Sequence, residues 1–129
     1  MFTFDAIEQA ASKVVTGADF PQFAKALKAM GVRRNDVYVM NGMAIYFGEG
    51  EESIESGPAY ENLLIEEESD KEALQDALKK HQQGQSDYQT FCRQAAGAGV
   101  ERWIVDLNAG TVTYLDTSGK ELLIEEIAL

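Results

Sequence analysis

The chain has 129 residues, 45% of them hydrophobic and 26% charged, which suits one soluble globular domain long enough to bury a real core. Its net charge of -11 and isoelectric point near 4.4 weigh against a nucleic-acid partner, because phosphate binding draws its affinity from Lys and Arg. A single cysteine excludes an internal disulfide framework and fits a reducing cytoplasm. No apolar run approaches the roughly 18 residues of a membrane helix, and the start MFTFDAIEQAASKVV lacks the basic, uninterrupted apolar pattern of a secretion signal.

Asp5 to Val15 predicts a helix, with Ala6, Ile7, Ala10, Ala11 and Val14 on one face and Thr16-Gly17 as its stop. Asp19 caps a second helix, Pro21 falls in its first turn, Phe20, Phe23, Ala24, Leu27 and Met30 form its buried stripe, and Gly31 ends it. Asp36 to Met40 and Met43 to Phe47 are strand-like, and Asn41-Gly42 between them predicts a two-residue type I′ hairpin turn. Glu52 to Glu55 suggests a short third strand and Asn62 to Glu67 a further one. Ser69 and Glu72 have capping-box spacing, opening a helix to about Gln83 with Leu74, Ala77, Leu78 and His81 on one face. Another helix runs from Asp87 to about Ala98, with Tyr88, Phe91, Cys92 and Ala95 facing inward and Gly99 as its stop. Arg102 to Leu107, Thr111 to Asp116 and Glu121 to Ile127 are the closing strands. In the first of these, Trp103, Val105 and Leu107 share one face.

The order helix, helix, strands occurs twice. A shift of 68 residues without gaps gives eight identities over the 38 positions from Asp19 to Ser56, against about two or three from average composition. They include Asp19 on Asp87, Gly31 on Gly99, Arg34 on Arg102, Gly42 on Gly110 and Tyr46 on Tyr114. The expectation is an α+β domain spanning 1–129, built of two αα-βββ halves, about 1–67 and 68–129, that arose by internal duplication. Its antiparallel sheet is covered by helices on one face.

Chemistry is sparse. His81, Cys92 and Trp103 are the only residues of their kinds. Cys92 with His81 would make a thiol nucleophile and its base, but an antiparallel helix hairpin offsets them by about 4–5 Å along the axis. A buried small cysteine and a histidine near a helix C-terminus is the plainer reading. One Cys and one His cannot build a zinc site. Glu66, Glu67, Glu68 and Asp70 match no calcium loop, and Gly48 with Gly50 lacks the Lys-Ser/Thr ending of a phosphate loop. No metal or cofactor is expected. Arg34, Arg102, Tyr46 and Tyr114, with Trp103, are the candidate ligand contacts, lining a cleft between the halves that would take an anionic or aromatic ligand.

The whole chain resembles a family of small uncharacterised bacterial proteins, some labelled "phage envelope protein". The resemblance rests on MFTFDAIEQA at the start, GADFPQF at Gly17 to Phe23, YFGE at Tyr46 to Glu49, SDKE at Ser69 to Glu72, HQQGQSDYQTFC at His81 to Cys92 and AGVERWIVD at Ala98 to Asp106. It supports the α+β reading and implies no activity, cofactor or catalytic residue. The preferred expectation is a non-catalytic cytoplasmic binding or interaction protein that takes a protein or small-molecule partner and pairs as a homodimer through a sheet edge or the uncovered sheet face. The alternative is a small enzyme or ligand-binding protein that uses the cleft.

Overall fold

The computed structural model describes residues 2–14 and 17–127. The first helix, α1, spans Phe4–Ala11 and begins where the Thr3 hydroxyl accepts the Ala6 N–H at 3.1 Å, satisfying one of the donors a helix start leaves open. It ends at Ala11 with Ser12 as its C-cap, short of the predicted Val15, which with the stop at Thr16 lies outside the described residues. A 3₁₀ turn, Gly17–Asp19, leads into α2, Phe20–Ala29. There Pro21 occupies the first turn, where its missing N–H costs nothing. Ala24 and Leu27 are fully buried. In the second half α3 spans Lys71–Gln82 and α4 spans Tyr88–Gly97. Asp70, not Ser69, caps α3 by accepting the Ala73 N–H at 3.0 Å, so the Ser69–Glu72 spacing marked the helix start one residue early. Asp87 caps α4 through the Thr90 N–H at 2.7 Å.

The six strands are β1 (Arg34–Tyr38), β2 (Ala44–Phe47), β3 (Ser53–Glu55), β4 (Val100–Asp106), β5 (Thr111–Asp116) and β6 (Glu121–Glu126). They form one antiparallel sheet in the order β3-β2-β1-β4-β5-β6. Each half therefore contributes three adjacent strands, and the halves meet at β1 and β4. In that central ladder Asp36 pairs with Ile104, which lies 68 residues further on. Each end closes with a matching bond: Val39 N–H to the Glu101 carbonyl and Leu107 N–H to the Arg33 carbonyl, both 2.9 Å. The β1–β2 pairs Arg34 with Phe47 and Asn35 with Tyr46 have counterparts in the β4–β5 pairs Arg102 with Leu115 and Trp103 with Tyr114. The outer strands differ: a register shift between Tyr114 and Leu115 has no equivalent in the β2–β3 pairing.

Two local expectations need correction. The β1–β2 connection is not a two-residue type I′ turn. Among the described residues no non-glycine has positive φ, so Asn41 cannot take the position such a turn requires. The connection is a four-residue loop, Val39 to Gly42, closed by Gly42 N–H to the Tyr38 carbonyl at 2.8 Å and Tyr38 N–H to the Met43 carbonyl at 2.9 Å. It is longer because Val39, fully buried, gives its N–H to β4 instead. Gly110 N–H to the Asp106 carbonyl, 2.8 Å, closes the same loop in the second half. Nor is Asn62 to Glu67 a strand. Leu63 and Ile65 are half-buried and Leu64 is 84% exposed, the alternation of a strand. Its backbone bonds nevertheless go to a loop and a helix end, Leu63 N–H to Met40 and Glu66 N–H to Ala96, so it joins no ladder.

Alternation assigns the sheet's two faces. Asn35, Val37, Tyr46, Trp103, Val105, Val112 and Tyr114 share the inner face, and all seven are buried. One hydrophobic core cluster joins the six other than Asn35 to Ile7, Leu27, Leu74, Leu78 and Phe91 from the four helices. The outer face carries Arg34, Asp36, Ile45, Phe47, Arg102 and Ile104.

Gly31 and Gly99 end α2 and α4 with φ of 100° and 83°. A Cβ at Gly31 would meet nothing within 4 Å, whereas one at Gly99 would lie 2.8 Å from the Glu68 carbonyl oxygen and the Ser69 Cα. Urea unfolding should show Gly31→Ala costing about 1 kcal/mol, the conformational penalty alone, and Gly99→Ala about 3 kcal/mol, with backbone collision added.

Candidate functional site

Between the helices and the inner face of the sheet lies a cavity of about 740 Å³. Its floor is laid by strand residues in adjacent registers: Ala44, Val37, Trp103 and Tyr114 form one row, and Tyr46, Asn35 and Val112 lie in the next. Ile7 of α1, Phe20 and Phe23 of α2, Leu78 and His81 of α3, and Tyr88 and Phe91 of α4 make the walls. Every helix and both halves contribute, so the cavity exists only once the whole inner layer is assembled. Exposed Glu8, Gln82 and Glu126 reach its rim.

Trp103 is the centre of an aromatic cluster. Its ring lies 5.7 Å from Phe91, 6.0 Å from Tyr114 and 6.3 Å from Tyr88, with interplanar angles of 54°, 50° and 86°. Tilted and edge-on pairs of this kind contribute about 0.5–1.5 kcal/mol each beyond their burial, which fixes the rings in place. His81 stacks on Phe91 at 4.6 Å.

The polar groups of the cavity are few. Asn35 donates from Nδ2 to the Ile45 carbonyl at 3.2 Å. The hydroxyls of Tyr46 and Tyr114 and the indole N–H of Trp103 have no hydrogen-bond partner among the described residues, although these side chains are 8%, 6% and 6% exposed. Every fully enclosed side-chain polar atom among the described residues is paired, so these three keep accessible surface on residues that line the cavity, where a bound molecule would be their partner. Burial pushes the Tyr46 phenol up to about 12 and the Tyr114 phenol further, the latter with help from Glu125. Both remain neutral donors at any ordinary pH.

The ligand contacts expected from sequence divide between the faces. Tyr46, Tyr114 and Trp103 lie on the cavity floor. Arg34 and Arg102 lie on the outer face, turned away from it, and converge on buried Asp36. Arg34 makes a two-pronged pair with that carboxylate, Nε to Oδ1 and Nη2 to Oδ2, both 2.7 Å, and Arg102 Nη1 stands 3.9 Å from Oδ2. The hydrogen bond to Asp36 raises the Arg34 guanidinium further above its ordinary value. The two arginines thus form a structural cluster with Asp36, and no single pocket holds all five residues.

The thiol pair fares differently. Cys92 is fully buried, and burial raises its thiol, against weaker lowering by the nearby Tyr60 and Tyr88 hydroxyls. A raised, enclosed thiol is a poor nucleophile. His81 engages Ser86 instead, with Nδ1 3.2 Å from the Ser86 carbonyl. Burial lowers the His81 imidazole below its ordinary 6.5, with the Ser86 carbonyl and Asp87 pulling the other way. The expected welcome for a positive charge at a helix C-terminus is therefore outweighed by desolvation. Among the described residues no three His, Cys, Asp or Glu side chains are grouped to hold a metal, and no helix is long and apolar enough to cross a membrane.

A family described as "Protein of unknown function (DUF1398)" matches residues 8–126. The chain is 32% identical over 96 residues to the uncharacterized protein Rv2012 of Mycobacterium tuberculosis and, to the same extent, to the uncharacterized protein Mb2035 of Mycobacterium bovis. The match covers 74% of this chain and 58% of each mycobacterial protein, so the chain spans under two thirds of the length of these relatives.

The lowered His81 sets a pH dependence with a definite sign. The unfolded chain takes up a proton near pH 6.5 that the folded chain resists, so this contribution is present above pH 6.5 and is lost as pH falls below it. Stability measured by urea unfolding should fall from pH 7 toward pH 5.5 by at most about 1.4 kcal/mol per pH unit from this group, and His81→Gln should flatten that part of the profile.

Proposed function

This chain belongs to the DUF1398 family of proteins of unknown function, and from that premise we propose that it is a binding protein for a small, largely apolar molecule, held in the cavity between its helices and its sheet. The observation that carries this reading is the pairing of an apolar, aromatic volume of about 740 Å³ with buried hydroxyl and indole donors that have no hydrogen-bond partner among the described residues. The volume falls within the roughly 300–1,000 Å³ of ordinary ligand sites. A few fixed donors in an apolar pocket set a ligand's orientation while burial supplies its affinity. Catalysis has no comparable support: the thiol is raised and enclosed, and the histidine bonds to backbone.

We also take the two halves to be products of a duplication. The shared β1–β2 and β4–β5 registers, the matching loop bonds at Gly42 and Gly110, and the symmetric ends of the central ladder support it. On this reading the cavity is asymmetric by later divergence, since Asn35 and Trp103 are counterparts and both lie on its floor. A cytoplasmic location fits the lone buried cysteine.

Trp103 is the only tryptophan, so its fluorescence reports on the cavity directly. Titration with 1-aminoanthracene, a neutral aromatic probe, should quench that emission with a dissociation constant on the order of 10 μM, about -7 kcal/mol. Ala44→Phe, which adds a ring on the floor, should weaken binding at least about tenfold. A folded wild-type protein whose Trp103 emission ignores the probe would end the reading.

A further inference from the structure

We infer that the cavity is built for an apolar organic cation, a protonated amine carried on a hydrophobic body. The inference rests on the binding role proposed above and names the class of ligand. Three features carry it. First, the lining contains no lysine or arginine, and its one histidine is buried with Nδ1 against the Ser86 carbonyl, so nothing there would hold an anion's charge. Second, Glu125 belongs to the inner face. It pairs with Val112 across the β5–β6 ladder, lines the cavity, and accepts a 3.2 Å hydrogen bond from Gln82 Nε2 on α3. A half-buried carboxylate on the cavity side of the sheet, bonded from the facing helix, is a counter-charge available to a cation. Glu8 of α1 and Glu126 add negative charge at the rim.

Third, the rings are arranged for the same ligand. Tyr88, Phe91 and Tyr114 surround Trp103 at tilted and edge-on angles, so ring faces as well as edges border the space. Aromatic faces attract cations through their quadrupoles, Trp most strongly. The acidic residues alone would not make a site. The independent observation is Tyr114, nine-tenths buried on the cavity floor, whose hydroxyl has no hydrogen-bond partner among the described residues, with Glu125 close enough to influence its ionisation. A protonated amine would satisfy both groups at once, donating N–H to the carboxylate and to the Tyr114 oxygen. The chain's net charge of -11 would also raise the encounter rate with cations at low salt.

The test is calorimetric titration of the full chain at pH 7 with three congeners of one hydrocarbon: 2-naphthylmethylamine, 2-naphthylmethanol and 2-naphthoate. The amine should bind at least about tenfold tighter than the alcohol, and the carboxylate should show no measurable binding. Glu125→Gln should remove most of the amine's advantage and leave the alcohol unchanged. Should that variant fail to fold, the wild-type ranking decides, together with weakening of the amine, but not the alcohol, as salt rises from 50 to 500 mM. If alcohol or carboxylate binds as well as the amine, the cation inference falls while the cavity remains a binding site. If none of the three binds, the binding role falls and takes the inference with it.

Discussion

The ladder between β1 and β4 is the interaction on which the rest of the structure depends. Every other strand pairing lies within one half, so this ladder makes two three-stranded pieces into one sheet. It aligns Val37 with Trp103 and Asn35 with Val105 on the inner face, which unites the two cavity rows. Loss of its register by one residue would turn the whole inner set outward, because side chains alternate with period two. The Asp36 cluster bears on the same ladder from the outside, where a buried carboxylate is held by one arginine from each half. Removing the carboxylate would leave two like charges facing each other across the join.

Much of the fold is legible in the sequence because the signals are local. Helix faces, glycine stops and strand alternation follow from spacing and backbone sterics, and the two-fold order of elements shows once the chain is shifted against itself. The failures are instructive for the same reason. Asn41-Gly42 has the composition of a tight turn, but the turn type is decided by Val39, whose N–H is claimed by Glu101 on β4. Asn62 to Glu67 alternates like a strand but gives its backbone N–H groups to the Met40 and Ala96 carbonyls rather than to a sheet edge. Neither fact is contained in the segment itself.

The site is less legible than the fold. Tyr46, Tyr114 and Trp103 are recognisable as candidates, the tyrosines because they recur and the tryptophan because it is unique. Grouping them with the arginines overlooks a parity that the sequence does contain: Arg102 and Trp103 are neighbours on one strand and must face opposite ways. The walls are another matter. Four helices from distant parts of the chain supply them, and how closely those helices approach the sheet is a packing outcome with no sequence period. The same holds for His81, whose neutrality comes from burial and whose position near a helix end suggested the opposite.

The pairing of Asp36 with Ile104 has a consequence for how the chain avoids its own copies during synthesis. The first half emerges from the ribosome before the second, with β1 presenting the edge that β4 will later fill. A neighbouring nascent chain offers an identical edge, and two copies of β1 in the same register would set carboxylate against carboxylate at the centre of the ladder. Like charges directly opposite each other oppose pairing. Two copies of β4 would bring Ile104 against Ile104 and supply no Asp36 for either Arg102. Only the unlike pair sets one acid between two bases. A single position that differs between the halves therefore favours pairing β1 with β4 over pairing either strand with its own copy.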